Sequence, residues 1–154
     1  MEINDLISSD VVVANLKATS KKQVLQDLSR RASESTGLHE RAIFDVLMER
    51  ERLGTTGVGN GIAIPHGKLP DLGRLHGYFA RLEQPVDFQS IDERPVDLIF
   101  LLLAPESAGA DHLKALAKIS RVLRDGNICE KLRGTDTSDA LYAILTGSIE
   151  HKAA

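Results

Sequence analysis

Val96-Asp97-Leu98-Ile99-Phe100-Leu101-Leu102-Leu103 is the stretch on which the fold turns. Apart from Asp97 it is apolar throughout, without the in-out alternation of a strand that has one wet face. It therefore reads as a central strand covered on both sides. Helices must flank the sheet that contains it. The apolar run 98–104 is far short of the ~20 residues a helix needs to cross a bilayer, so it is a buried strand and not a membrane span.

Upstream of that strand, residues 78–83 and 85–88 read as two short strands, and the β-branched Val11-Val12-Val13 as another near the start of the chain. Ser20-Lys21-Lys22-Gln23 has capping-box spacing, with a hydroxyl and an amide placed to satisfy the free backbone groups of a first helical turn. Val24, Leu25, Leu28 and Ala32 form the inward stripe of that helix and Gly37 ends it. A second helix is expected over 39–52, with Ile43, Val46, Leu47 and Arg50 on one face. Downstream, 105–109 is a turn. From Ala110 the stripe Leu113, Leu116, Ile119 or Ser120, and Leu123 predicts another helix, with His112 in its first turn. A short helical piece over 128–132 and a last helix, capped by Thr137 and stopped by Gly147, complete the chain.

The chain has 154 residues, 42% of them hydrophobic, enough for one substantial core and too few for two ordinary domains. With no internal repeat or linker, residues 1–154 form one α/β domain, with a core over about 5–147 and a loose tail over 148–154. A net charge of −3 with acids and bases interspersed gives no basic stripe for a nucleic-acid backbone. The single cysteine, Cys129, cannot pair internally and reads as a small buried apolar residue. Together with a start, Met1-Glu2-Ile3-Asn4-Asp5, that lacks signal-peptide character, it points to the cytoplasm.

Chemistry concentrates in Gly57-Val58-Gly59-Asn60-Gly61-Ile62-Ala63-Ile64-Pro65-His66-Gly67-Lys68. The glycines read as a loop feeding a strand. Pro65 lacks a backbone donor and biases Ile64 to extended geometry, so the strand should stop there and present His66 at its end. A histidine titrating near ~6.5 is mostly an uncharged nucleophile at neutral pH. Phosphoryl transfer places charge on three equatorial oxygens, which need preorganised donors. Arg50, on a largely apolar helix face, and His112, at a helix start, are candidates. The plainer alternatives are a solvated helix-end arginine, a helix-surface histidine and a turn histidine. Gly-x-x-x-x-Gly-Lys-Ser/Thr is absent, so nucleotide binding has no support. His39, His76 and His151 read as surface or strand histidines.

From Thr56 to Lys68, and through Arg50-Glu51-Arg52-Leu53-Gly54, Pro95-Val96-Asp97-Leu98-Ile99-Phe100 and Asp111-His112-Leu113, the sequence resembles the enzyme IIA domains of the bacterial phosphotransferase system, mannitol/fructose class. Within that class it is most similar to the nitrogen-regulatory branch. The resemblance covers nearly the whole chain and implies a three-layer α/β/α sandwich around a mixed sheet. It also implies a phosphohistidine at His66, formed through Nε2, with His112 and Arg50 stabilising the phosphoryl group. The group would come from an HPr-like carrier, charged from phosphoenolpyruvate by an enzyme I homologue, with no cofactor or metal. Such a protein is transferase-like but mainly regulatory. The resemblance extends to potassium-transport and sensor-kinase proteins as partners. Thr55, Thr56 and the backbone around Gly67 are further candidate donors by position, with no family role carried over to them. One rival is a sugar-specific IIA passing phosphate to a IIB domain. Another is a metal hydrolase using His66 and His112, which lacks a third ligand at a convincing spacing. The third is a scaffold with a structural histidine.

Overall fold

In the computed structural model, which describes residues 1–147, the chain runs β1 (Val12–Leu16), α1 (Lys21–Thr36), α2 (Glu40–Leu53), β2 (Gly57–Gly59), β3 (Ile62–Ala63), β4 (His66–Leu69), β5 (His76–Val86), β6 (Val96–Pro105), α3 (Ala110–Arg124), α4 (Gly126–Arg133) and α5 (Ser138–Leu145). The expected loose tail over 148–154, and His151 with it, lies outside the described residues.

The strands form one mixed sheet in the order β1-β5-β6-β3-β2, with β4 also paired to β6. β6 is central, as its unbroken apolar run requires. Its side chains divide by the period of two between the two faces. Ile99, Leu101 and Leu103 pack with Val24, Leu25 and Leu28 of α1 and Ile43 and Leu47 of α2. Leu98, Phe100 and Leu102 pack with Ala115 and Ile119 of α3, Leu132 of α4 and Leu141 of α5. The result is the three-layer α/β/α sandwich. Each such side chain taken fully out of water contributes roughly 1.5–3 kcal/mol of transfer free energy.

Helix starts and stops follow the side chains that cap them. Ser20 Oγ accepts from the Gln23 backbone N–H at 3.2 Å, but the Gln23 amide oxygen turns back to the backbone and hydroxyl of Thr19 instead of Ser20. Gly37 closes α1 in the left-handed conformation, φ 78°. His39 is the N-cap of α2, its Nδ1 accepting from the Arg41 N–H at 3.1 Å. Thr137 caps α5.

Four expectations need correction. The glycine-rich stretch is not a plain loop: β2 and β3 form an antiparallel hairpin around Asn60-Gly61. Both turn residues have positive φ, 57° and 79°, the pair of conformations a two-residue hairpin turn requires. Residues 78–83 and 85–88 are not two strands. β5 runs continuously to Val86, and its ladder with β6 slips between Arg81 and Val86, where Pro85 removes a donor. His66 opens β4 and does not end the preceding strand. Finally, Leu113 does not face inward. It is 70% exposed, and the inner stripe of α3 is His112, Ala115, Ile119 and Leu123.

Candidate functional site

The interruption at Pro65 leaves the strand register intact. Ile62 lies opposite Leu98 in β3, and in β4 His66 lies opposite Leu102 and Leu69 opposite Pro105, all in parallel alignment. The missing proline N–H breaks the regular ladder for two residues, yet the Pro65 carbonyl still accepts from Leu102 N–H at 2.9 Å. His66 is thereby fixed by strand pairing on the same face as Leu102, which packs toward α3. Gly67 points the other way. A Cβ there would sit 2.5 Å from Val46 Cγ1, so the glycine lets α2 lie close against β4. Arg50, one turn beyond Val46, then reaches His66.

The His66 ring is held at both nitrogens. Nδ1 lies 2.9 Å from the Ile64 carbonyl, which can only accept, so the proton is on Nδ1. Nε2 therefore carries the lone pair and accepts from Arg50 Nε at 3.3 Å, near the weak end of the range. Arg50 Nη1 donates to the Gly54 carbonyl at 2.9 Å, which steadies the guanidinium beside Nε2. His112 packs edge-on to His66, with ring centres 5.6 Å apart and planes at 68°. It is 7% exposed, and its Nε2 has no hydrogen-bond partner among the described residues.

Burial depresses the pKa of His66, and the Arg50 charge depresses it further, while the Ile64 hydrogen bond and Glu51 oppose this. His112 is lowered by burial, then by His66 and by Lys68. Both rings are thus neutral at pH 7, as an attacking imidazole must be. An open cleft of about 620 Å³ gives access, lined by Arg50, Leu53, His66, Lys68 and His112 among others.

Two supporting features were invisible in the local sequence. Lys68 shares the His66 side of β4, by the alternation of the strand, and acts electrostatically on His112. Glu51 is buried at the end of α2. Its carboxylate accepts from the Thr56 N–H at 3.2 Å and from the Thr56 hydroxyl, and pairs with Lys21 Nζ at 2.8 Å. Lys21 also donates to the Phe88 carbonyl and to Gln89 Oε1 and lies 5.1 Å from the Phe88 ring centre. This network ties the start of α1 to the end of α2 and to the chain leading into β2. It also corrects one expectation: Thr55 and Thr56 are not free donors, because their hydroxyls already serve Phe88 and Glu51. The contribution of Gly67 is steric, since it leaves room for Val46 of α2.

Among the described residues, no group of three His, Cys, Asp or Glu side chains is placed to hold a metal ion, and no helix is long and apolar enough to cross a membrane. The arrangement can do one thing well. A neutral, oriented imidazole nitrogen opens onto a cleft, with a guanidinium and a second imidazole within reach of any group that bonds to it.

Comparison with known proteins places this geometry. Over residues 5–148 the chain matches the family described as "Phosphoenolpyruvate-dependent sugar phosphotransferase system, EIIA 2". It is 58% identical over 145 residues to a nitrogen regulatory protein of Bradyrhizobium diazoefficiens, covering 94% of this chain and 95% of that one. The nitrogen regulatory protein of Klebsiella oxytoca is 38% identical over 147 residues, covering 95% and 91% respectively. The crystal structure of nitrogen regulatory protein IIA-Ntr from Neisseria meningitidis superimposes with a TM-score of 0.89 at 34% identity, covering 94% of this chain and 99% of that one. The match spans both core layers and the strand that carries His66, and on it the chain belongs to the EIIA 2 family of the phosphotransferase system.

Proposed function

We propose that this chain is a nitrogen-regulatory phosphocarrier: His66 accepts a phosphoryl group from the phosphohistidine of a small HPr-like protein, and the resulting charge is the signal. One observation carries the reading. His66 lines the cleft with its lone pair on Nε2, where Arg50 stands, while Nδ1–H is committed to the Ile64 carbonyl.

In the transfer, the Nε2 lone pair forms the new N–P bond as the donor's N–P bond breaks and returns its electron pair to the donor ring. The proton stays on Nδ1, donated to the Ile64 carbonyl, so no general base is required at His66. Arg50 Nε gives up its long bond to Nε2 as phosphorus arrives, and the guanidinium turns to the equatorial oxygens. His112 is 5.6 Å from His66 between ring centres and supplies a second donor from an imidazole with an unused nitrogen. Once formed, a phosphoryl group carries about −1.5 to −2 charges by the phosphoester analogy, enough to change which partners the surface accepts.

Family membership supports an HPr-like donor, and the nitrogen-regulatory names of the similar proteins support a signalling role over sugar uptake. Potassium-transport and sensor-kinase proteins are the partner classes we expect to respond. The test is incubation with phosphoenolpyruvate, an enzyme I homologue and the HPr-like carrier. Wild type should gain an acid-labile, alkali-stable phosphate, His66→Ala none, and His112→Ala should label more slowly. Wild-type labelling kinetics in His66→Ala would refute the reading, and onward transfer to a IIB domain would favour a sugar carrier.

A further inference from the structure

The fold sorts charges that the sequence intersperses. α3 carries Lys114, Lys118, Arg121 and Arg124 against a single carboxylate, Asp111, although the whole chain is net −3. Because His112, Ala115, Ile119 and Leu123 turn inward, the helical period places Lys114, Arg121 and Arg124 on the outer side. All three are exposed. Lys118 is engaged by Glu2 at 3.4 Å, whereas Lys114, Arg121 and Arg124 make no ion pair among the described residues. The opposite wall of the cleft differs. Its carboxylates are neutralised within α2, Asp45 by Arg41 at 2.9 Å and Glu49 by Arg52 at 2.9 Å. The surface around His66 therefore has a near-neutral side and a positive side. Each also presents a large exposed aliphatic residue, Leu53 on α2 and Leu113 on α3, 81% and 70% exposed.

Resting on the reading that His66 is charged by a carrier protein, we propose that the outer face of α3 is a docking surface for that carrier and selects one whose face around its own phosphohistidine is acidic. Size supports this. A standard interface covers about 800 Å² per partner, a patch of roughly 16 Å radius. A donor that brings its phosphohistidine to Nε2 is centred on His66, with His112 beside it. At 1.5 Å per residue, Lys114 lies ~3 Å and Arg121 ~14 Å along the helix from His112. Measured along the helix axis, Lys114 and Leu113 lie within that radius, Arg121 near its limit and Arg124 beyond it. Charge complementarity completes the argument. Unpaired cations at a rim steer an anionic partner, and the incoming carrier already bears a phosphoryl anion. The same geometry makes transfer self-limiting, since the charge delivered to His66 offsets the nearest cation and speeds release.

The test uses the carrier encoded in the same genome, charged from phosphoenolpyruvate by its enzyme I homologue, and phosphoryl transfer to the intact chain. Lys114→Glu with Arg121→Glu should raise KM for the phosphocarrier about tenfold at ~0.1 M salt and leave the rate at saturating carrier nearly unchanged. The gap should close toward 1 M salt, where the screening length falls to ~3 Å. Single reversals should weaken in the order Lys114, Arg121, Arg124, and Lys114→Arg should behave as wild type. An unchanged KM, or a KM change that ignores salt, would overturn the docking surface while leaving phosphorylation of His66 standing. Duplex DNA binding that these substitutions abolish, with carrier KM unaffected, would assign the face to a different polyanion and equally overturn it. Wild type that takes no label overturns the function and this proposal together.

Discussion

Lys21→Met removes one partner of a buried ion pair 2.8 Å long, whose side chains are 16% and 4% exposed. An exposed pair of this kind is worth about 0–1 kcal/mol. Here, however, the Glu51 carboxylate keeps only the Thr56 N–H and hydroxyl, while its charge stays out of water. Stranding such a charge costs about 3–5 kcal/mol. For a chain of this size, 1 kcal/mol moves the melting temperature by about 2–4 °C, so the variant should melt about 6–20 °C lower. Denaturant titration followed by circular dichroism gives the same quantity as a lower midpoint at unchanged slope. Glu51→Gln should cost less, because the amide oxygen still accepts from Thr56 and Lys21 keeps its contacts to Phe88 and Gln89. A loss below about 1 kcal/mol in Lys21→Met would refute the claim that this network holds the segment between α2 and β2.

Gly67→Ala forces a Cβ to within 2.5 Å of Val46 Cγ1; it should cost about 1–3 kcal/mol, and Val46→Ala in the same chain should recover part of it in the same titration. Leu113→Gln should change stability by less than about 0.5 kcal/mol, because that side chain is 70% exposed; a large loss would restore the inward stripe that the sequence suggested. The pH profile follows from His66 and His112, both lowered on folding. Between their folded values and the unfolded ~6.5 the unfolded chain binds more protons, so stability should be full above pH ~6.5 and decline as pH falls through that window. His112→Gln should flatten this decline in denaturant titrations at a series of pH values, and an unchanged profile would show that His112 is not buried neutral.

The layer order was legible because β6 states it directly: a strand apolar on both sides needs helices on both. Arg50 was legible for a related reason, as a cation on a helix face otherwise committed to the core. His112 was placed correctly in its turn but on the wrong side of it. Leu113 and His112 differ by 100° around the helix, and hydrophobicity chose leucine. The helix instead turns His112 inward, where its ring borders His66. The β2–β3 hairpin was misread although Asn60-Gly61 announces it, since three glycines in seven residues suggest a loop until their positive φ values are known. β3 does stop before Pro65, as expected, but pairing with β6 resumes in the same register at His66, which opens β4. Lys21, Glu51 and Phe88 join residues separated by as many as 67 positions, a contact that no local pattern encodes.

Phosphoryl transfer to His66 depends on which of its nitrogens is free. Uniformly 15N-labelled protein, phosphorylated through the carrier and examined by NMR for coupling between phosphorus and imidazole nitrogen, reports that directly. The phosphoryl group should sit on Nε2 of His66, with Nδ1 still protonated toward the Ile64 carbonyl. Phosphorus bonded to Nδ1, or to any residue other than His66, would contradict the account.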